Sequence, residues 1–223
     1  MIKLKRSIGC ACLAAAMVAF IGLTPSTSQA AFMTIVNVDA TLNGSGNPVT
    51  LPLDAGTYKL EPIGTAQGGA FDAWSAWSAN AGILPAPIGT MGAQGWLNSY
   101  IALSTDITAV TFADGTPFPI VNPPDMLPTT SFFSPVLGGY FASDGMIYAS
   151  AGDALANAVT SIFTLGAPGD VNFAFLDTLN DNRGGVSLKV SAVPEPGTLL
   201  LIGAGLAGMG IGTRRRNRRR VEG

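Results

Sequence analysis

The segment Thr160-Ser161-Ile162-Phe163-Thr164-Leu165-Gly166-Ala167-Pro168-Gly169-Asp170-Val171-Asn172-Phe173-Ala174-Phe175 decides the fold class. Two short runs rich in β-branched and aromatic residues flank Pro168-Gly169-Asp170, a turn-forming triplet. The second run alternates apolar and polar side chains, the period of a strand that buries one face. The same pattern recurs outward from it. Strands are predicted at 49–53, 57–61, 96–103, 107–112, 140–143, 146–150, 160–165, 171–177 and 186–192. Asp144-Gly145, set between two apolar runs, predicts a hairpin. Residues 114–135 hold six prolines, from Pro117 to Pro135, and predict a long surface loop. Only 154–158 suggests a helical turn. The expectation is an all-β chain: one β-sandwich over residues 31–193, of jelly-roll type.

Charge divides the chain into three parts. Residues 31–193 carry Lys59, Arg183 and Lys189 against twelve carboxylates, a net charge of −9. Such an acidic body argues against nucleic acid as a partner. The other nine basic residues lie at the two ends. Both cysteines, Cys10 and Cys12, precede residue 31, and the chain has no histidine. The body therefore lacks a thiolate nucleophile, a serine–histidine triad and the usual zinc ligands. Glu61 is its only glutamate, and no spacing nominates a second carboxylate for glycosidase chemistry. The body is expected not to be an enzyme.

The N-terminus has the parts of a secretory signal. Lys3, Lys5 and Arg6 form a basic head, residues 8–23 an apolar run, and Ser28-Gln29-Ala30 a small-residue cleavage site. Residues 1–30 are expected to be removed by signal peptidase. The C-terminus runs Val193-Pro194-Glu195-Pro196-Gly197-Thr198, then an apolar stretch at 199–211, then Arg214, Arg215, Arg216, Arg218, Arg219 and Arg220. As a helix, 197–213 would reach roughly 25 Å, slightly short of the roughly 30 Å hydrocarbon core. The arginines would hold that end in the cytoplasm and leave the body outside.

Taken together, Pro194-Glu195-Pro196, the short glycine-rich apolar segment and the terminal arginines resemble the PEP-CTERM sorting signal of Gram-negative bacteria over residues 194–220. The resemblance implies processing by an exosortase, a membrane-embedded cysteine transpeptidase that recognises the motif and removes the tail. Pro194, Glu195 and Pro196 would be recognition residues, and the six arginines from Arg214 to Arg220 the retention block. The chain would sit transiently in the inner membrane and then reach the cell surface or the outside, in the company of exopolysaccharide. An unprocessed single-pass anchor is the plainer alternative.

Two clusters in the body are candidate sites. Asp177, Asp181 and Asn182 share a Gly-rich loop before the last strand, and such oxygen donors suit calcium. A polar turn explains the same residues. Residues 171–190 and 49–63 are similar to the C-terminal end and an early hairpin of calcium-dependent galactose-binding bacterial lectins, which implies that Asp177, Asp181 and Asn182 ligate calcium beside a sugar. The second cluster is Asp72, Trp74 and Trp77, where tryptophan faces would stack on a glycan or, alternatively, fill the core. The expected role is a surface or matrix component that binds exopolysaccharide with calcium, or a passive structural one.

Overall fold

Short runs rich in Val, Ile, Phe and Tyr become strands where one face is buried. The computed structural model describes residues 32–76, 85–88, 95–121, 130–176 and 182–194. In order, the elements are β1 (Met33–Asp39), β2 (Val49–Leu53), β3 (Gly56–Ile63), β4 (Trp74–Ala76), β5 (Ala86–Pro87), β6 (Gly95–Leu97), β7 (Tyr100–Leu103), β8 (Ile107–Phe112), β9 (Phe132–Ser134), β10 (Gly139–Ala142), β11 (Met146–Ile147), α1 (Ala151–Ala156), β12 (Ser161–Leu165), β13 (Gly169–Ala174) and β14 (Arg183–Ala192). The described body is all-β apart from α1 and a 3₁₀ turn at Thr65–Gln67.

A seven-stranded sheet runs β6-β4-β14-β3-β12-β8, with β1 paired to β14 as well. A five-stranded sheet runs β2-β13-β7-β10-β9, and β11 pairs with β5 separately. The longest strand, β14, is the axis of the larger sheet. It pairs with β1 from Gly185 to Ser191 and with β3 from Ser187 to Ala192. Val186, Leu188 and Val190 are fully buried, whereas Lys189 and Ser191 lie on the opposite face and are only partly buried.

Both sheets contribute to one core. Tyr58, Leu60, Phe163 and Leu188 come from the larger sheet, and Tyr100, Tyr140, Val171 and Phe173 from the smaller. Ring pairs cross between them: Tyr140 lies 6.1 Å from Phe163, and Trp74 lies 5.0 Å from Phe175. A hydroxyl cluster is admitted between the sheets. Ser161 Oγ meets the hydroxyls of Tyr100 at 3.0 Å and Tyr140 at 2.8 Å, and all three residues are buried.

Several local expectations are corrected. The 54–55 and 166–168 turns join strands of different sheets, so 49–63 is not a hairpin: β2 pairs with β13, and β3 with β14 and β12. Asp144-Gly145 does turn the chain, with Gly145 at φ 83°, but β10 and β11 then pair elsewhere. The Asp144 carboxylate accepts from Met146 N and from the Tyr148 hydroxyl, which fixes the chain as it leaves the sheet. The predicted strand 96–103 breaks into β6 and β7, one in each sheet. At the break, Asn98 Nδ2 donates to the Asp72 carbonyl at 2.8 Å, and Trp74 Nε1 donates to the Ser99 carbonyl at 3.1 Å. The expected loop 114–135 contains β9 and sends Phe118, 3% exposed, into the core against Phe112 and Tyr140.

Candidate functional site: the tail junction and the outer face of the larger sheet

The end of β14 leads directly into the C-terminal segment. Ala192 N donates to the Phe32 carbonyl at 3.0 Å, and Val193 N donates to the Thr57 carbonyl at 2.8 Å. The next residue, Pro194, is exposed and has no N–H with which to extend the ladder. The Pro-Glu-Pro motif thus begins where the sheet stops. Glu195, Pro196 and the arginines from Arg214 to Arg220 lie outside the described residues, as does the apolar segment 199–211. Among the described residues no helix is long and apolar enough to cross a membrane.

Residues 192–216 match the PEP-CTERM protein-sorting motif. The match spans Pro194-Glu195-Pro196, the apolar segment and the first three arginines of the block. It implies export, a transient membrane-anchored state and exosortase-dependent sorting to the cell surface. No curated protein and no solved structure matches the chain.

Of the tryptophan cluster the structure describes Asp72 and Trp74, and it gives Trp74 the core-filling role. Trp74 is 6% exposed, its ring packs on Phe175, and its N–H is held by Ser99, so it offers no face to a sugar. Asp72 is engaged locally: Oδ1 accepts from Thr65 N at 2.7 Å and from the Thr65 hydroxyl at 3.1 Å, tying down the 3₁₀ turn. Trp77 lies outside the described residues, as do Asp177 and Asp181. Asn182 is described. It is buried at the start of β14, and its Nδ2 donates to the Ala40 carbonyl at 3.4 Å. Two residues on, Gly184 takes φ 75° with the Ala73 carbonyl oxygen 2.4 Å from where a Cβ would stand, so only glycine fits. Among the described residues no three carboxylates gather as a metal site.

A concave surface of about 450 Å³ lies between α1 and the outer face of β3 and β14. Glu61, Gln67 and Lys189 line it with Ile63 and Leu155. Lys189 Nζ stands 2.7 Å from Glu61 Oε2, and Lys59 Nζ stands 3.4 Å from the same oxygen. The hydrogen bond from Lys189 lowers the Glu61 pKa from the ordinary value of 4.5; burial opposes the shift and the Lys59 charge assists it. Ser150 caps α1 by accepting from Asp153 N, which positions Leu155 over the cleft. Sequence reasoning did not nominate this site. The available signal was period two: Lys189 lies between buried Leu188 and Val190, Lys59 between buried Tyr58 and Leu60, and these two lysines are two of the body's three basic residues.

Proposed function

We propose that the chain is an exported surface protein that an exosortase releases from its membrane tail, with the β body as the delivered component. The observation that carries this reading is the match at 192–216, whose Pro-Glu-Pro begins directly after Val193, the last residue hydrogen-bonded to the body. Replacing Glu195 by Ala, or deleting the host exosortase, is expected to accumulate a longer, membrane-bound form. A secreted protein whose intact mass still includes Arg214 to Arg220 would sink the proposal.

The body is proposed to act as a binding or structural component of the surface or matrix, not as an enzyme. The cleft favours contact with a hydroxyl-rich glycan, because Glu61 accepts and Lys189 donates within one concave surface. The calcium reading of Asp177, Asp181 and Asn182 rests on the sequence. Its test is thermal unfolding of the protein in excess calcium and then in chelator. An ion bound only by the folded state at a hundredfold excess over Kd adds about 2.7 kcal/mol, a shift of several degrees. Identical midpoints in the two buffers would remove calcium from the proposal.

A further inference from the structure

The matched sorting motif and the folded body share Ala192 and Val193. Only residues 194–198 separate Val193 from the apolar segment that begins at Leu199. Fully extended, five residues span at most about 17 Å. A membrane-embedded peptidase must therefore work close under the body. Peptide-binding clefts hold an extended chain by its main-chain N–H and C=O groups on both sides of the recognised residues. On the N-terminal side those groups are already spent. Ser191 lies between Met33 of β1 and Lys59 of β3. Ala192 bonds Phe32, and Val193 bonds Thr57. A main-chain N–H paired in the ladder is not free to serve an enzyme as well.

Side-chain burial defines how far the chain can open. Ser191, Ala192 and Val193 are partly exposed, whereas Val190 is fully buried. Releasing 191–193 gives up terminal rungs and little apolar contact, and strand ends open more readily than strand centres. Opening past Val190 would expose core.

We propose that the exosortase engages residues 191–193 together with Pro194-Glu195-Pro196, and that these three residues leave β1 and β3 before the tail is removed. This inference rests on the sorting reading and adds the body's own last rungs to what the enzyme recognises. Tail removal is then limited by the population of chains with that end open.

Because Ala192 and Phe32 form a hydrogen-bonded rung, Met33 and Ser191 face each other as a non-hydrogen-bonded rung. There the Cα atoms approach to about 4.5 Å, within disulfide range. Both side chains lie on the outer face. The test is a pulse-chase of the full chain in its host, following loss of the arginine block by mass. A Met33→Cys, Ser191→Cys pair is expected to slow tail removal about tenfold when oxidised and to recover on reduction. A flexible insert of about eight Gly and Ser residues between Val193 and Pro194 is expected to speed it about tenfold, since it supplies unpaired chain. The same rate with the staple oxidised and reduced, or with and without the insert, overturns this inference alone. Retention of the tail in every chain, including the unaltered one, overturns the sorting reading with it.

Discussion

Two polar clusters lie on opposite faces of the larger sheet, and each converges on a single oxygen. On the inner face Ser161 Oγ meets the Tyr100 hydroxyl at 3.0 Å and the Tyr140 hydroxyl at 2.8 Å. On the outer face Glu61 Oε2 receives Lys189 at 2.7 Å and Lys59 at 3.4 Å. The distances are alike and the physics is not. Ser161 is wholly buried, so no water replaces a lost partner. The outer groups are about a third exposed, with side chains at 34–37%, and water and salt compete with every contact. Position in the pleat, more than bond length, sets what each cluster contributes to stability.

The largest effect is expected on the dry side. Ser161→Ala strands a buried phenol hydroxyl and should cost about 2 kcal/mol. For a body of this size that lowers Tm by about 4–8 °C, measurable by calorimetry. The cluster also sets an alkaline limit. Burial raises the pKa of Tyr100 and Tyr140 above the ordinary 10.0, and Tyr148 rises to about 12 through burial and the Asp144 carboxylate. Folded, the core phenols stay protonated; unfolded, they ionise near 10.0. Stability is therefore intact below pH 10 and declines as pH rises, by about 1.4 kcal/mol per buried tyrosine per pH unit. Tyr100→Phe should remove one share of that slope in denaturant titrations. An unchanged slope would mean that the inner cluster is not dry.

How much of this was legible in the sequence follows the same division between local pattern and long-range partner. Strands 49–53 and 107–112 were readable to the residue, because alternation marks a half-buried strand. Pairing was not. The turns at 54–55 and 166–168 look like hairpin turns, yet each carries the chain from one sheet to the other, a choice made by partners far away in sequence. Asn98-Ser99 splits one apparent strand through contacts with Asp72 and Trp74, and no local signal distinguishes those residues from a strand interior. β1 was overlooked beside the apolar N-terminal segment, although Ile35, Val36 and Val38 give it strand character. Trp74 shows why an aromatic–acid pair is weak notice of a sugar site: the indole N–H found a carbonyl inside. The sorting tail was legible because its three parts are contiguous and need no fold to be recognised.

The smallest effect is expected at Glu61, and it sharpens the comparison most. Glu61→Gln removes the shared charge and leaves Lys59 and Lys189 as neighbouring cations. At their exposure the loss should be about 0.5 kcal/mol, or one to two degrees in Tm. The Glu61 pKa is lowered in the folded body, so its contribution is present above the ordinary 4.5 and fades as pH falls through the depressed folded value. Unaltered protein and Glu61→Gln should therefore differ slightly at pH 7 and converge in acid. They should also converge at about 1 M salt, where the screening length shrinks to about 3 Å. Ser161→Ala should keep its full cost in the same salt, since ions do not reach it. If the Glu61→Gln difference proved as large as that of Ser161→Ala and as indifferent to salt, the outer cluster would have to be dry. The cleft beside α1 would then be closed to water and to any sugar, and the glycan reading of that surface would fall with it.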